Sequence, residues 1–338
     1  MYTGVKGSNS HLVSRIRFSR FLSLLTIPLF FACFQNTGIC ADKVSLFPQW
    51  LPQAQFAGYM VALEKGFYRD AGIDLTLMRG GSLYPALERL QKKKCTFATA
   101  WLSTALEYRD EGAKVVNIGQ IFRRSALMLI ARKSSGIKVP ADLQGKRIGL
   151  WGGDFRLQPI AFFKKNKLDV EIVPLYETSN LFLKKGVDAM NAMWYNEYHQ
   201  MVLSGIDKEE LTTFFFADLG FNFAEDGIYT LEETYLKNPQ LCARFVNASI
   251  KGWLYAFDHH EEALDIVMKH ANAAHTGTNR SHQRWMLARM QDLILPDRNQ
   301  ALLGKLKQSD YNIVVETLKD LKVIQDAPAF SDFYRGPQ

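Results

Sequence analysis

The sequence has 338 residues, of which 47% are hydrophobic and 22% charged, a composition that excludes a disordered chain or a collagen-like polymer. The net charge of +7 overstates its basic character, because the first 41 residues carry four Lys or Arg and no acid, which leaves the rest at +3. We therefore expect no nucleic-acid partner, and at roughly 100–200 residues per domain we expect about two domains.

The N-terminal segment is typical of an export signal. A basic stretch ends at Arg20, an apolar run covers residues 21–34, and small residues lead to Ala41. The apolar run, of about 14 residues, is shorter than the roughly 20 that a membrane-spanning helix needs. We predict a signal peptide over residues 1–41 and a mature protein exported to the periplasm. Residues 30–33 loosely resemble a lipoprotein cleavage box, so lipid anchoring is the alternative.

Of the four cysteines, Cys33 and Cys40 lie in or beside this signal. The mature chain retains Cys95 and Cys242. The spacing leaves open whether this pair forms a disulfide.

From residue 43 onward, short apolar or β-branched runs alternate with helical patterns, which indicates βαβ units and a largely parallel sheet. The strands predicted for the first series cover residues 43–47, 73–78, 96–100, 115–121 and 126–131. Between them we predict helices over residues 56–63, 83–93 and 105–111, the first ended by Gly66 and the second capped by Ser82. A polar, turn-rich passage at residues 134–140 indicates a domain crossing.

A second series predicts strands over residues 147–150, 170–173 and 189–193, with further strands at 212–216 and 227–230. After Thr234 almost every pattern is helical, and helices are predicted over residues 239–260, 263–271, 282–293 and 309–321. We infer that the chain crosses to a second lobe and returns. One lobe is predicted to contain residues 42–131 and 223–338, and the other residues 132–222.

The sequence carries no signature of a metal, a nucleotide or a nucleophile. His259 and His260 are adjacent, so on a helix they diverge by about 100° and cannot share one ion. G-x-S-x-G, P-loop and G-x-G-x-x-G patterns do not occur. We therefore expect no catalytic residue, no metal and no cofactor.

Small or aromatic residues recur where the predicted strands end and helices begin. Ligands of open α/β sheets bind at such ends, because helix N-termini leave N–H groups unpaired. The candidate ligand-binding residues are Trp50, Gln55, Tyr59, Gly81, Ser82, Trp101, Ser103, Thr104, Trp151, Gly153, Asp154, Tyr195 and Glu197. The alternative is structural: core packing for the aromatics, helix capping for Asp154 and a solvated charge for Glu197.

The segment QWLPQAQFAGY at residues 49–59, continued by EKGFY at 64–68 and AGID at 71–74, carries a family resemblance. It resembles the opening of substrate-binding proteins of ABC importers, in the branch that binds thiamine-pyrimidine precursors, taurine, alkanesulfonates and nitrate. DLQGKRIG at 142–149 resembles that family's start of the second lobe. The resemblance implies a type II periplasmic binding fold, α/β, with two βα lobes, a hinge and a helical C-terminal region. It further implies a monomer that closes around a small molecule and presents it to an ABC permease in the inner membrane.

The same family includes a fungal pyrimidine synthase. The resemblance places its catalytic Lys and His at the positions of Ala100 and Thr104, and its cysteine cluster near residues 221–224. This chain has none of these groups, which favours a binding protein over an enzyme.

The ligand class follows from the candidate side chains. An aminopyrimidine offers flat faces and an amine, which suit aromatic stacking and a carboxylate acceptor. The residues that could supply these are Trp50, Trp101, Trp151 and Tyr195 for stacking, and Asp154 and Glu197 for the acceptor. The rival ligand is a small sulfonate or nitrate, which Arg79 beside Gly80 would suit.

Overall fold

The computed structural model describes residues 41–337 apart from Ser82, Tyr84 and Glu177, so residues 1–40 of the predicted signal peptide lie outside the described part. The strands are β1 (Asp42–Phe47), β2 (Ile73–Leu77), β3 (Phe97–Ala100), β4 (Val115–Gln120), β5 (Leu127–Arg132), β6 (Arg147–Trp151), β7 (Glu171–Leu175), β8 (Ala189–Met193), β9 (Leu211–Phe215) and β10 (Gly227–Leu231). Each lies within two residues of a strand predicted from the sequence, because apolar runs bounded by turn residues mark buried strands.

The helices follow the strands in alternation and then dominate the C-terminal third. They are α1 (Ala57–Glu64), α2 (Phe67–Asp70), α3 (Ala86–Gln91), α4 (Leu102–Asp110), α5 (Leu157–Lys165), α6 (Asn180–Leu183), α7 (Glu197–Leu203), α8 (Glu232–Lys237), α9 (Pro239–Asp258), α10 (His260–Ala273), α11 (Arg280–Ile294), α12 (Gln308–Asp320) and α13 (Phe330–Phe333). None of these helices, within residues 41–337, is long and apolar enough to cross a membrane.

The strands form two mixed sheets of the same design. One has the order β2-β1-β3-β10-β4 and the other β7-β6-β8-β5-β9. In each, four strands run in the same direction and one strand, β10 or β5, runs antiparallel to both of its neighbours. We call the first sheet with its helices the first lobe, and the second sheet with its helices the second lobe.

Two expectations about the sheets are corrected by this pairing. The expectation of largely parallel strands has one exception in each sheet, the antiparallel β10 or β5, and β5, which the sequence placed in the first sheet, pairs with β8 and β9 of the second. A fully buried apolar run such as β5 shows that a strand exists but does not specify its partner, since partner and direction are set by contacts distant in sequence.

The chain passes between the sheets over residues 121–126 and 216–226, and these two segments lie side by side. Glu225 Oε1 accepts hydrogen bonds from Ser125 Oγ at 2.8 Å and from the Ala126 N–H at 2.6 Å. The Phe122 N–H donates to the Asp226 carbonyl at 3.3 Å. The paired segments form the hinge between the lobes.

In the first lobe, α1 and α9 pack with their backbones in unusually close approach. A Cβ added at Gly58 would meet the Trp253 ring at 2.3 Å, and one at Gly252 would meet the Gly58 carbonyl oxygen at 2.0 Å. Both glycines are therefore required by packing rather than by backbone conformation. Gly66, at a φ of +78°, ends α1 in the predicted left-handed cap.

The predicted helix over residues 83–93 begins later than expected. Helix α3 starts at Ala86, directly after Pro85. Ser82, the predicted cap, lies outside the described residues.

Cys95 and Cys242 are both buried as free thiols, and burial raises the pKa of each to about 11. The question that the spacing left open is thus answered in favour of two separate cysteines. Thiols with raised pKa values and little solvent access are poor nucleophiles.

Candidate ligand-binding cleft

The carboxyl ends of β1, β3, β6 and β8 meet around a cavity of about 230 Å³, which we call the inner chamber. Its walls include seven of the candidate residues, namely Trp50, Gln55, Trp101, Thr104, Asp154, Tyr195 and Glu197. They come from both lobes, because each strand end delivers the first residues of the following helix to the same edge of its sheet.

A second cavity, of about 740 Å³, adjoins the first, and we call it the outer chamber. The two share the side chains of Trp50, Gln53, Phe155, Asn196 and Glu197 as a common wall. Trp151, another candidate, lines the outer chamber only. The two cavities therefore lie on either side of a shared wall of aromatic and polar side chains.

Asp154 bridges the lobes at the inner chamber. It lies in a short 3-10 helix that follows β6, and its two oxygens accept hydrogen bonds from Ser103 Oγ at 2.5 Å and Thr104 Oγ1 at 2.6 Å, in the first turn of α4. Burial raises the pKa of this carboxyl, and the two hydroxyls partly oppose the shift. Beside it, Trp101 meets Phe155 edge-on with ring centroids 4.9 Å apart. Both contacts join the lobes.

Glu197 begins α7 after β8 and is half-buried rather than solvated. Its Oε2 accepts from the Met193 N–H at 2.8 Å, and its Oε1 accepts from Asn196 Nδ2 at 2.6 Å. Burial raises the pKa of this carboxyl. Glu197 thus orders the turn that leads into α7 while its side chain faces both chambers.

A further carboxylate lies behind the inner chamber and was not among the candidates. Asp226, at the end of the hinge, is 1% exposed and accepts hydrogen bonds from Gln49 Nε2 at 2.6 Å and Gln55 Nε2 at 2.7 Å. Burial raises its pKa to about 7, and the Gln55, Gln49 and Trp101 side chains oppose the shift. Asp226 therefore fixes the orientation of two glutamine amides that line the chamber.

One amide oxygen of this group has no hydrogen-bond partner among the described residues. Gln49 Oε1 is buried and, within the described part of the chain, accepts no hydrogen bond. Because the Gln49 amide nitrogen is committed to Asp226, its oxygen is oriented as an acceptor. The inner chamber therefore presents acceptors at Gln49, Asp154 and Glu197.

Four other candidates, Tyr59, Gly81, Ser103 and Gly153, are not among the lining residues of either chamber. Tyr59 is 1% exposed and packs edge-on against Trp253 in the core, with centroids 6.1 Å apart. Ser103 is buried and reaches the cleft only through Asp154. Gly153 precedes Asp154 at a φ of +62°, and Gly81 follows β2 at a φ of +150°. Ser82 lies outside the described residues.

Arg79, on which the sulfonate interpretation depended, lies away from the cleft. It lines a separate cavity of about 200 Å³ with Met60 and His270. Of the described residues that line the two chambers, none is Lys or Arg. The cleft therefore offers a ligand carboxylates, amides and aromatic faces, but no side-chain cation.

Several lining residues were missed by sequence reasoning, among them Gln49, Gln53, Phe155, Asn196 and His282. Gln49 and Gln53 flank Trp50, and Phe155 follows Asp154, so proximity to the candidates was a usable signal. His282 comes from α11, and nothing in its local sequence points to the cleft.

The sequence profile of the family described as NMT1/THI5 like matches residues 53–263. The chain is similar to riboflavin-binding protein RibY of Chloroflexus aurantiacus, with 25% identity over 70% of this chain and 68% of that one. It is similar to 4-amino-5-hydroxymethyl-2-methylpyrimidine phosphate synthase of Legionella pneumophila, with 24% identity over 67% and 73%. Formylaminopyrimidine-binding protein of Halalkalibacterium halodurans shares 21% identity over 75% and 80%.

Among solved structures, the fold matches that of the periplasmic aliphatic sulphonate binding protein SsuA from Escherichia coli. The TM-score is 0.68 at 14% identity, and the match covers 86% of this chain and 97% of that one. The predicted fold class, a type II periplasmic binding fold with a helical C-terminal region, is thereby confirmed.

Proposed function

Because the chain belongs to the NMT1/THI5-like family, we propose that it is the solute-binding component of an ABC importer and takes a small planar heterocycle between its lobes. A thiamine-pyrimidine precursor is the preferred ligand. The inner chamber supports this proposal, since it combines aromatic side chains with fixed acceptors and, among its described residues, has no Lys or Arg. A flat ring bearing amino groups satisfies both features.

The residues proposed to contact the ring are those that line the inner chamber. Trp50, Trp101 and Tyr195 supply faces or edges of aromatic rings, and Gln49 Oε1 supplies an acceptor that is already oriented. Asp154 and Glu197 add negative charge or, when protonated, a donor. The raised pKa values of Asp154 and Glu197 favour the neutral carboxylic acid more than in an exposed carboxyl group, which suits a ligand with little net charge.

A sulfonate or nitrate is the less favoured ligand. A buried anion needs Arg, Lys or several convergent N–H groups to replace its hydration shell. The described cleft residues place carboxylates where such a ligand would require cations, and Arg79 lines a different cavity. The charge distribution of the cleft thus favours a neutral or cationic ligand.

An enzyme of the pyrimidine-synthase type is the competing function, since one relative carries that name. Ala100 and Thr104, which stand where the family resemblance places a catalytic Lys and His, both line the inner chamber. Neither side chain titrates near neutral pH, so neither can serve as a base there. This observation favours binding without chemistry.

Hinge closure would link binding to transport. The ligand is desolvated between the lobes, and its contacts to both sides offset the cost of ordering them. We propose that the protein acts outside the inner membrane as a monomer and presents its closed form to a permease. The family resemblance and the predicted export signal support this location.

Titration calorimetry of the purified protein with an aminopyrimidine, taurine and nitrate tests the proposal. We expect binding of the aminopyrimidine and no heat with taurine or nitrate. Binding of either anion without binding of the heterocycle would contradict the ligand class. Turnover of a pyridoxal-type substrate would instead establish the enzyme, and native mass spectrometry would identify any small molecule that co-purifies.

A further inference from the structure

A second contact between the lobes, outside the hinge, joins α7 to α11. Helix α7 follows β8 of the second sheet, and α11 packs against α10 and residues 54–56 of the first lobe. The Nδ1 atoms of His199 and His282 lie 2.9 Å apart across this boundary. One turn along α11, the indole N–H of Trp285 donates to the Trp194 carbonyl at 3.2 Å, and its ring lies parallel to that of His199 at 4.7 Å. We call His199 and His282 the histidine pair.

The neighbours of the histidine pair determine where its protons lie. His282 Nε2 is 2.9 Å from Asn196 Oδ1, and an amide oxygen only accepts hydrogen bonds, so this nitrogen carries the proton. A neutral imidazole has one N–H, which leaves His282 Nδ1 as an acceptor. The hydrogen bond across the boundary therefore runs from His199 Nδ1–H to His282 Nδ1. Both rings are neutral in this arrangement, with the proton on a different nitrogen in each.

The same hydrogen bonds continue into the cleft. Asn196 Nδ2 donates to Glu197 Oε1 at 2.6 Å, and Gln200 Nε2 donates to Asn196 Oδ1 at 3.0 Å, which agrees with this orientation of the Asn196 amide. The chain of donors thus runs from the histidine pair through Asn196 to Glu197, whose side chain lines both chambers. Because hydrogen bonds in such a chain polarise one another, a change at the histidine pair alters an acceptor in the cleft.

The closed lobes favour the neutral form of both histidines. With both rings protonated, each Nδ1 carries a hydrogen, and two N–H groups that face each other at 2.9 Å form no hydrogen bond. With one ring protonated the hydrogen bond survives, but the charge lies at a boundary where His282 is only 7% exposed, and burying a charge is costly. Burial, followed by the charge of His199, lowers the pKa of His282 to about 4.

The surroundings of the histidine pair oppose a positive charge on it further. The titratable and charged side chains around it, from α7, α11 and residues 208–210, are those of Glu197, Tyr198, Lys208, Glu209, Arg289 and Asp292. Burial, followed by the charges of Lys208 and Arg289, lowers the pKa of His199. The carboxylates offset this little: Glu197 meets the pair through an intervening amide. Asp292 is paired with Arg289 at 2.9 Å, and Glu209 acts on a tyrosine of α7.

Separation of the lobes removes these constraints. Water then reaches both rings, and each titrates near its ordinary pKa of about 6.5, so opening takes up protons that the closed form excludes. For His282 alone, the ratio of closed to open lobes falls about tenfold for each pH unit between about 6.5 and about 4. That is about thirtyfold at pH 5 relative to pH 7.5, and His199 adds to it.

We propose that the histidine pair is a pH-sensitive contact between the lobes, which holds the cleft closed while both rings are neutral and lets it open when they take up protons. The inference goes beyond the proposed function, since it concerns the motion of the lobes and holds for the ligand-free protein. For any bound ligand it implies weaker retention in acid, because a cleft that is closed for less of the time binds less tightly.

Small-angle scattering of the ligand-free protein between pH 7.5 and pH 5 tests this inference. We expect the radius of gyration to rise as the pH falls, with an unchanged circular dichroism spectrum. A rise accompanied by loss of the helical signal would be unfolding, and a constant radius would mean that the lobes do not respond to protonation. Either result would overturn the proposal.

Variants of the two histidines connect the opening to this contact. Replacing both by residues that do not titrate, His199→Asn with His282→Gln, should remove the pH dependence of the radius. His199→Lys, which places a permanent positive charge at the boundary, should give the acid radius already at pH 7.5. Leu203→Lys, at an exposed position one turn further along α7, is the matched control for the charge, and His275→Asn, at an exposed histidine, is the control for histidine loss. Both controls should behave as the parent does.

The variants also separate the histidine pair from Asp154, another titratable contact between the lobes. An equal expansion in acid with and without the two histidines would assign the opening to such a carboxyl and overturn the proposal. Nuclear magnetic resonance of nitrogen-labelled histidines at pH 7.5 should find the proton of His199 on Nδ1 and that of His282 on Nε2, and the reverse assignment would contradict the argument. Calorimetry with an aminopyrimidine at pH 7.5 decides the proposed function independently of these results.

Discussion

Ser103 and Asp154 lie in different lobes and are joined by a hydrogen bond of 2.5 Å. Thr104 donates to the second Asp154 oxygen at 2.6 Å, so one carboxylate of the second lobe is bound by two hydroxyls at the start of α4. A carboxylate that accepts from two hydroxyls forms charge-assisted hydrogen bonds, which are stronger than neutral ones. This pair of contacts stabilises the closed arrangement of the cleft.

Asp154→Ala should therefore shift the protein toward an open form. Each hydrogen bond to a charged group contributes roughly 1.5–3 kcal/mol, partly offset by the burial that raises the Asp154 pKa, so we expect the closed population to fall by about tenfold. Small-angle scattering of the ligand-free variant should give a larger radius of gyration. Asp74→Ala, at an exposed position on β2, is the control, and an identical radius in all three proteins would contradict the bridging role.

Trp50→Ala should weaken ligand binding with little effect on stability. Trp50 is 38% exposed and stands in the wall that the two chambers share, so its ring contributes more to the cleft than to the core. Stacking on a base is worth about 1–3 kcal/mol, which predicts a loss of affinity of roughly tenfold or more for the aminopyrimidine. Calorimetry measures the affinity, and thermal unfolding measures the stability.

The control for Trp50 is Leu236→Ala, which removes an exposed apolar side chain on α8 that lines neither chamber. Both variants should retain the unfolding midpoint of the parent protein. A large drop in the midpoint of the Trp50 variant alone would mean that the ring supports the core instead.

Gly58→Ala should destabilise the first lobe. The new methyl group would lie 2.3 Å from the ring of Trp253, which is fully buried and cannot move aside without disturbing α9. Overpacking of this kind costs roughly 1–3 kcal/mol, and here the clash is severe, so we expect the upper end or more. Urea unfolding gives the free energy directly. Gly152→Ala is the matched control, since a Cβ there meets nothing within 4 Å, and an equal effect of both changes would disprove the packing argument.

The histidine pair formed by His199 on α7 and His282 on α11 is expected to make the free energy of unfolding depend on pH. Their Nδ1 atoms are 2.9 Å apart and their rings stack at 5.2 Å. Burial, followed by the charge of His199, lowers the pKa of His282 to about 4. As the pH falls below about 6.5, His282 binds a proton in the unfolded chain but not in the native protein. The free energy of unfolding is therefore highest above that pH and falls as the pH drops from about 6.5 to about 4.

His282→Asn should reduce this acid sensitivity. The difference between the two pKa values of His282 corresponds to roughly 3 kcal/mol as an upper bound, so the parent should lose on the order of 1–3 kcal/mol more than the variant between pH 7 and pH 4. Urea unfolding across that range measures the difference. His275→Asn, at an exposed histidine, should behave as the parent does, and parallel curves for all three proteins would exclude the pair as the cause.

Glu225 in the hinge is expected to make stability depend on pH with the opposite sign, so that stability falls as the pH rises. Burial, with the neighbouring Asp226 charge, raises the pKa of Glu225 to about 8, whereas the unfolded chain releases this proton near 4.5. Below about pH 4.5 Glu225 is protonated in both the folded and the unfolded state. Between about pH 4.5 and about 8 only the folded state keeps the proton, so the free energy of unfolding declines as the pH rises through that range. Glu225→Gln, which stays neutral and can still accept from Ser125 and Ala126, should be more stable than the parent at pH 9.

We expect that gain to be roughly 1–3 kcal/mol at pH 9 and to vanish at pH 4. Denaturant unfolding at the two pH values measures it. Glu232→Gln, on the first turn of α8, provides a comparison outside the hinge. A stability difference that is the same at both pH values would contradict a shifted titration of Glu225.

The strands were predictable because their signal is local. Residues 189–193 form β8 as predicted, since a buried apolar run ends at a Trp and an Asn that leave the sheet. The membership of β5 in the second sheet was not predictable, because it depends on pairing with β8 and β9. The same limit explains why the crossing at residues 121–126 was expected later, at the turn-rich passage over residues 134–140.

The cleft was predictable in outline for a related reason. Trp101 follows a strand of the first sheet and Asp154 follows a strand of the second. Ligands of α/β folds bind at the carboxyl ends of strands, so both residues could be expected at a cleft between the lobes. Gln49 and Asp226 are 177 residues apart, and the local sequence around neither residue predicts the hydrogen bond between them. Tyr59 illustrates the converse, since α1 is buried nearly all round and its residues could not be sorted into cleft and core by periodicity.

The two adjacent crossing segments, tied together at Glu225, limit how the lobes can travel. A single connecting segment would allow one lobe to rotate about several axes relative to the other. Two segments fixed side by side restrict that motion to rotation about one hinge axis. Opening and shutting then follow a single angular coordinate. Ligand occupancy would then be expressed in that one angle, whatever the identity of the ligand.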